Sequence, residues 1–334
     1  MSRLLFVHNG QEKFVRDDQR LLSETHTLSD WYQSGRTFNP IRLLSAVAAN
    51  DAVFCWFASW HSLFPALIAR ALHKPLIIVT GGYDTANVPE AGYGSQRSGP
   101  PKWIARIVIR LATQLIVNSQ SARAETIANT HADPRKITVI YHGIEPLNLA
   151  SELSVPRERL ALNVGGVRAE NLLRKGLLPF VQAAALLPNV QFVQAGQWFD
   201  SSIDTLKSAA TPNMRFVGHI SSDELNRLYA RASVYVQPSL HEGFGLSVAE
   251  AMSAGCIPVV TRVGSLPEVV GSCGIFIAAP NTPDAIADGI RQALASPFAL
   301  REQARAHILH NFPMERRRAA LVSLISAALR SSGA

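Results

Sequence analysis

Two carboxylates, Glu242 and Glu250, flank Gly243-Phe244-Gly245 in the stretch HEGFGLSVAEAMSAGCIPVV, with seven residues between them. Glu242 lies in a glycine-rich turn and Glu250 inside a segment with helical spacing, so the two suit different tasks. The turn should lead into a helix from about Leu246 to Ala254, ended by Gly255. Glycines at 243 and 245 let backbone amides face outward at that helix's amino end, where unsatisfied N–H groups and the helix dipole attract phosphate. Glu250 follows Leu246 by four residues and shares its helical face, which suits a carboxylate that holds ribose hydroxyls. Glu242, ahead of the helix, would stand on the other side of a docked diphosphate, where a transferred sugar would sit. The same residues also fit a plain helix start, with Gly for turn geometry and an exposed Glu for the dipole.

A second cluster favours the phosphate reading. The stretch NVGGVRAENLLRKG places Gly165, Gly166, Arg168, Arg174 and Lys175 after an apolar run. Charge-assisted bonds from Arg and Lys to phosphate complement a helix amino end. Taken alone, this basic group would be a solvated loop.

These clusters need elements to hold them. Short apolar runs, LLFV at 4–7, AVFCWF at 52–57, PLIIV at 75–79, QLIVNS at 114–119 and ITVIYHG at 137–143, alternate with helical patterns such as LFPALIARAL. Continuous apolar strands between helices predict a parallel sheet covered on both faces. The pattern pauses in EPLNLASELSVPRER, residues 145–159, which is polar and broken by two prolines, and marks a domain boundary. A second series follows: RLALNVGG, VQFVQAG, MRFVGHI, SVYVQPS, CIPVVT and CGIFIA. The expected domains are 1–147 and 148–312, with 313–334 a terminal helix that crosses back to the first. Parallel α/β sheets bind ligands at the carboxyl ends of their strands, so two such halves facing one another imply a cleft lined by both.

Composition narrows the class. With 334 residues, 47% hydrophobic and 17% charged, the chain is globular rather than disordered. A net charge of +7 is compatible with an anionic substrate or surface, and equally with ordinary solubility. Basic residues are dispersed and aromatics are 7%, which argues against nucleic acid. Cys55, Cys256 and Cys273 form no C-x-x-C and are odd in number, so buried thiols in a reducing cytoplasm are expected. The start lacks the features of a signal peptide, and the apolar run 52–69 is interrupted by Trp60, His61 and Pro65, so no membrane span is expected. Lys102, Arg106 and Arg110 recur every four residues beside Trp103, Ile104, Ile107, Val108 and Leu111. That stripe suits peripheral contact with the inner face of an anionic membrane and a lipid-linked acceptor; an amphipathic helix packed on its own sheet looks the same.

The sequence resembles the family-four retaining glycosyltransferases, which share the two-domain GT-B fold. The resemblance rests on the Glu-x7-Glu element at 242–250 with AMSAGCIPVVTRVGSLPEVV after it, on RKG at 174–176, and on QLIVNSQSARAETI and KITVIYHGIEP. It covers residues 110–330 well and 1–100 poorly. It implies an α/β fold of two Rossmann-like domains facing each other across a cleft. Carried over residue by residue, Glu242 contacts the donor sugar, Glu250 holds the ribose, and Gly243, Phe244, Gly245 and Leu246 supply backbone to the diphosphate. Ser247 and His219 are further donor-side candidates, and Lys175 matches the phosphate-binding lysine. The family's arginine usually follows the first glycine, where this chain has Gly166. Arg168 or Arg174 must substitute, with Arg168 favoured. The family's histidine facing the sugar is missing from IIVTGGYDTANVPEAGYG; Tyr83 and Asp84 are placed to replace it, although Asp84 also reads as a turn cap. The first-strand loop is reduced to His8-Asn9-Gly10, with Gly10 on the acceptor side.

The expected reaction moves a hexose from a nucleoside diphosphate sugar to an acceptor hydroxyl of a glycan or lipid-linked glycan, with retention. Lys175, an arginine and the helix end neutralise the leaving diphosphate. No D-x-D occurs, so no metal or other cofactor is expected. A nucleotide-sugar epimerase or phosphorylase on the same frame, or an inactive sugar-binding scaffold subunit, are the alternatives.

Overall fold

The computed structural model describes residues 1–146, 157–278 and 281–332. They fall into two compact units, Met1–Gly143 with Met314–Ala334, and Ile144–Pro313. The boundary expected at 147/148, and most of the polar stretch around it, lies outside the described residues.

The first unit carries β1 (Arg3–His8), β2 (Thr27–Tyr32), β3 (Ala52–Trp56), β4 (Leu76–Val79), β5 (Gln114–Val117) and β6 (Ile137–Val139). All neighbours pair in parallel, in the order β2-β1-β3-β4-β5-β6. Alternate residues of β1 divide between the two faces, as the pleat requires. Leu5 and Val7 join Leu43, Val47, Ala66, Val108 and Ile109 on one face. Leu4 and Phe6 join Leu21, Leu22, Met314, Leu321 and Ile325 on the other. That second face is where the chain's final helix, Met314–Ser332, packs. Its Arg317 is buried and donates from Nε and a terminal nitrogen to the Asp18 carboxylate at 2.6 and 2.7 Å. The same guanidinium reaches the carbonyls of Ile140 and Tyr141 at 3.0 Å each. A buried ion pair is tolerable when its remaining donors are satisfied in this way.

The second unit carries β7 (Glu158–Val164), β8 (Gln191–Ala195), β9 (Met214–Gly218), β10 (Ala232–Gln237), β11 (Ile257–Thr261) and β12 (Ile275–Ile277). Its parallel order is β12-β11-β10-β7-β8-β9. All six residues of β10 are buried, as a central strand covered on both faces requires. The chain leaves β7 toward β8 and β9, and leaves β10 toward β11 and β12. β7 and β10 are therefore the neighbours at which the strand order reverses, the switch point where open parallel sheets place their ligands.

Each of the eleven apolar runs read as strands in the sequence overlaps one of these strands. The missed strand is β2, TLSDWY, whose residues are exposed or half-exposed at the sheet edge. An edge strand with water on its outer side needs no continuous apolar run, so periodicity leaves it silent.

Candidate active site

The two chemistry-bearing clusters meet above β7 and β10. After β7 comes the short helix Ala169–Arg174, with Lys175 as its carboxyl-terminal residue. Gly176 follows in the left-handed region at φ +63°, where a Cβ would stand 2.3 Å from the Pro238 carbonyl oxygen. Only glycine permits both that φ and that approach. The Leu240 amide donates to the Arg174 carbonyl at 2.7 Å, so the RKG turn is clamped to the loop after β10. The clamp brings Lys175 Nζ to 3.1 Å from Glu242 Oε2, with both side chains less than one-fifth exposed.

The backbone of Glu242 is held from the other side. Its carbonyl accepts from the Ser265 amide at 3.1 Å and from Ser265 Oγ at 3.3 Å. Gly264, at φ +52°, lies so near that a Cβ would clash with the same carbonyl. Burial opposes the charge on Glu242, but Lys175 and Arg174 outweigh it and hold the carboxyl below the ordinary glutamate range. Glu242 is therefore an anion paired with a cation.

Gly245 caps the helix Leu246–Ser253 from a left-handed φ of +88°. Phe244 turns inward and meets Phe312 edge-on, with centroids 5.7 Å apart, so its side chain anchors the turn while its backbone borders the helix end. Ser247 also faces inward, its Oγ 2.8 Å from Tyr235 Oη. On the same helix Glu250 is half-buried, and Oε2 accepts from Tyr229 Oη at 3.3 Å. Burial, aided by the Glu250 charge, pushes the Tyr229 phenol well above its usual range, so it remains a donor.

The arginines separate. Arg174 is buried and donates to Asn171 Oδ1 at 3.1 and 2.7 Å; it acts on Glu242 through its field. Arg168 is more exposed and lies 4.1 Å from the centre of the Phe199 ring. A Cβ on Gly166 would come within 2.6 Å of that same ring. Phe199 thus occupies the space that a side chain at 166 would need, which explains a glycine where the resembled family carries arginine. His219 is exposed immediately after β9.

In the first unit, Asp84 is buried in the loop after β4. Its carboxylate accepts from the amides of Ala58, Gly81 and Gly82 at 2.9 to 3.0 Å. Burial, working against those bonds, pushes its carboxyl up to about 6. Both oxygens are engaged with backbone, which is the turn-cap role. Neighbouring Tyr83 is exposed and packs edge-on against Tyr93. Gly10 accepts at its carbonyl from His8 Nδ1.

Tyr229, Tyr235, Gln237 and Ser239 also bond to site residues, although nothing in their sequence spacing marks them. Three of them belong to SVYVQPS, whose pattern signals a strand and nothing more. His61 was read only as an interruption of an apolar run; it is buried, and its Nε2 donates to the Trp56 carbonyl at 2.7 Å. Cys55, Cys256 and Cys273 are buried free thiols. Among the described residues no group of three or more His, Cys, Asp or Glu is placed to hold a metal, and no helix is long and apolar enough to cross a membrane.

The profile described as Glycosyl transferases group 1 matches residues 158–296, and that described as Glycosyltransferase Family 4 matches 7–146. The chain is 39% identical over 130 residues to O-antigen chain mannosyltransferase B of Escherichia coli, covering 36% of this chain and 34% of that one. It is 30% identical over 232 residues to a D-inositol 3-phosphate glycosyltransferase of Mycolicibacterium gilvum, covering 64% and 49%. The chain spans about half or less of the length of these curated relatives. Among solved structures, Anabaena HepE in complex with UDP and glucose superposes with a TM-score of 0.78 at 16% identity, covering 98% of this chain and 100% of that one. Sucrose-phosphate synthase from Thermosynechococcus elongatus gives 0.77 at 17% identity, covering 99% and 100%. With one matched segment in each unit, and solved neighbours of the same fold over nearly the whole chain, this protein belongs to the family-four glycosyltransferases, the glycosyl transferases group 1, and has the GT-B fold.

Proposed function

We propose that the protein transfers a hexose from a nucleoside diphosphate sugar to an acceptor hydroxyl of a glycan or lipid-linked glycan, with retention at the anomeric carbon and without a metal. The observation that carries this reading is the Lys175–Glu242 pair at 3.1 Å, beside the amino end of the helix Leu246–Ser253. A departing diphosphate places negative charge where a lysine and helix amides can stabilise it, and pre-placed donors of this kind lower the barrier. Arg168, held on Phe199 at the exposed rim, is the arginine available to join them. Glu250 takes the ribose, Glu242 orients the sugar, and the diphosphate oxygen receives the acceptor's proton on the face it leaves. Within the first unit, Asp84 shapes the loop that carries Tyr83, the residue assigned to the acceptor side.

A thermal-shift panel of UDP- and GDP-sugars tests the donor, because ligands of the folded state raise its melting temperature. The expected result is selective stabilisation by at least one sugar nucleotide, followed by a product whose anomeric configuration matches the donor. An inverted product, or activity that disappears with EDTA and returns with magnesium, would overturn the mechanism. Anabaena HepE was solved with UDP-glucose, which makes that donor the first to try.

The acceptor reading extends to a membrane surface. On the helix Pro100–Leu111, Ala105, Val108 and Ile109 are buried, whereas Trp103 is 62% and Ile107 45% exposed. Arg106 is engaged inside the unit with Gln96 and the Asn129 carbonyl, so the outward face relies on Lys102 and Arg110 with Trp103. Co-sedimentation with vesicles containing phosphatidylglycerol should fall in a Lys102→Ala/Trp103→Ala/Arg110→Ala variant. Negligible pelleting of the wild type would dismiss the contact.

A further inference from the structure

Glu242 is approached from below as well as by its cation. Gln237, the last residue of β10, is fully buried, yet its side chain carries an amide. Its Nε2 lies 3.1 Å from Glu242 Oε2 and 2.8 Å from Ser239 Oγ. Its Oε1 lies 3.0 Å from Tyr235 Oη, two residues back on the same face of the strand. Tyr235 Oη in turn reaches Ser247 Oγ in the first turn of the helix Leu246–Ser253. The polarity of this chain is dictated by chemistry. A carboxylate only accepts, so the amide must turn its NH2 toward Glu242 and its oxygen toward the phenol. A buried position on a central strand favours Val or Leu, and burying an amide and a phenol there is costly unless each is bonded. Both are bonded, and the chain they form ends on Glu242.

We propose that Gln237, oriented by Tyr235, is a positioning residue that fixes the Glu242 carboxylate in one rotamer for the donor's sugar. Among the described residues the side-chain hydrogen bonds to this carboxylate converge on Oε2, so Oε1 is the oxygen presented to a sugar hydroxyl. The relay also couples the sugar-holding carboxylate to the helix turn that borders the diphosphate, through Ser247. This rests on the reading of Glu242 as the residue that contacts the sugar. Removing the amide donor should destabilise the ionised carboxylate and raise its titration midpoint. The basic side chains acting on Glu242 are Lys175 and Arg174, from the end of the helix after β7, and His241 from its own loop. They are unchanged in the variants below, so any shift belongs to the relay.

The test uses the full chain labelled with glutamate carrying 13C at Cδ, the Glu242 resonance being assigned by its loss in Glu242→Gln. In Gln237→Leu without ligand, the Glu242 midpoint is expected to rise by about one pH unit. Tyr235→Phe keeps the ring and should give a smaller rise in the same direction, which guards against a Gln237 variant that fails to fold. Isothermal titration of Gln237→Leu should show about tenfold weaker binding of UDP-glucose or GDP-mannose, with UDP and GDP held within about threefold. An unchanged midpoint in both variants, or equal losses for nucleotides and sugar nucleotides, would overturn the relay. Wild-type protein that binds UDP or GDP but neither sugar nucleotide would sink the functional reading itself, whatever the titration showed.

Discussion

Lys175 and Glu242 are each costly to bury alone, and their pairing is what makes a half-enclosed anion and cation stable at the head of β10. Glu242 holds the lysine at 3.1 Å, and on the proposed reading the same lysine also reaches the donor's diphosphate. Lys175→Ala should therefore slow transfer at saturating donor by about 10² to 10³-fold, the loss typical for one transition-state donor, as read by initial rates of product formation. A second residue-scale expectation concerns pH in the first unit. Burial lowers His61 to about 4, so the folded state keeps it neutral while the unfolded chain takes up its proton below about 6.5. The stability due to neutral His61 is present above that value and is lost as pH falls toward 4, by about 3 kcal/mol in all. Asp84 acts with the opposite sign: its raised folded pKa of about 6 gives stability that is present at low pH and is lost as pH rises from about 4 to 6. Urea unfolding of His61→Gln between pH 4 and 6.5 should thus show less acid loss than wild type. An identical pH profile would contradict the buried neutral histidine.

At the scale of elements, the site depends on two loops brought together by backbone rather than by side chains. The Leu240 amide on the Arg174 carbonyl, and Gly176 lying under Pro238, place the lysine beside the glutamate. Gly176→Ala would force a left-handed φ on a residue with a Cβ and push it into the Pro238 oxygen. A cost of about 1 to 3 kcal/mol is expected from such strain, with transfer reduced about tenfold as Lys175 is displaced. Paired melting curves and rates would check this. A variant with wild-type melting and wild-type activity would show that the clamp is dispensable. The strand pair β7 and β10 matters for the same reason. Gln237 and Tyr235 have their side chains under the glutamate only because β10 ends where its neighbour's loop turns the other way.

For the molecule as a whole, the chain's last helix belongs with the first unit, not with the unit that precedes it in sequence. Met314, Leu321 and Ile325 complete the apolar face over β1 and β3, and Arg317 neutralises the buried Asp18. Arg317→Ala leaves Asp18 as an unpaired buried charge and should destabilise the first unit by about 3 to 5 kcal/mol, whereas Asp18→Leu with Arg317→Met should recover most of that. Calorimetry of the two variants distinguishes the cases. Equal melting in both would mean that the pair is not the element's anchor.

The sequence by itself determined the α/β class, eleven of the twelve strands found among the described residues, and the two acidic residues with their glycine turn, because buried strands need apolar runs and a turn into a helix amino end needs glycine at set positions. It also drew attention to Lys175 through the RKG motif of the resembled family, and it singled out the odd glycine at 166. Tertiary structure decided the rest. Whether Asp84 was a cap or a sugar-facing group depended on three amides from two loops that no spacing rule connects. Phe199 explained Gly166 from thirty-three positions away. Gln237 looked like one residue of a strand, since an amide in a buried strand gives no periodic signal, and its partner became visible only when the loop after β10 folded back over the strand's end.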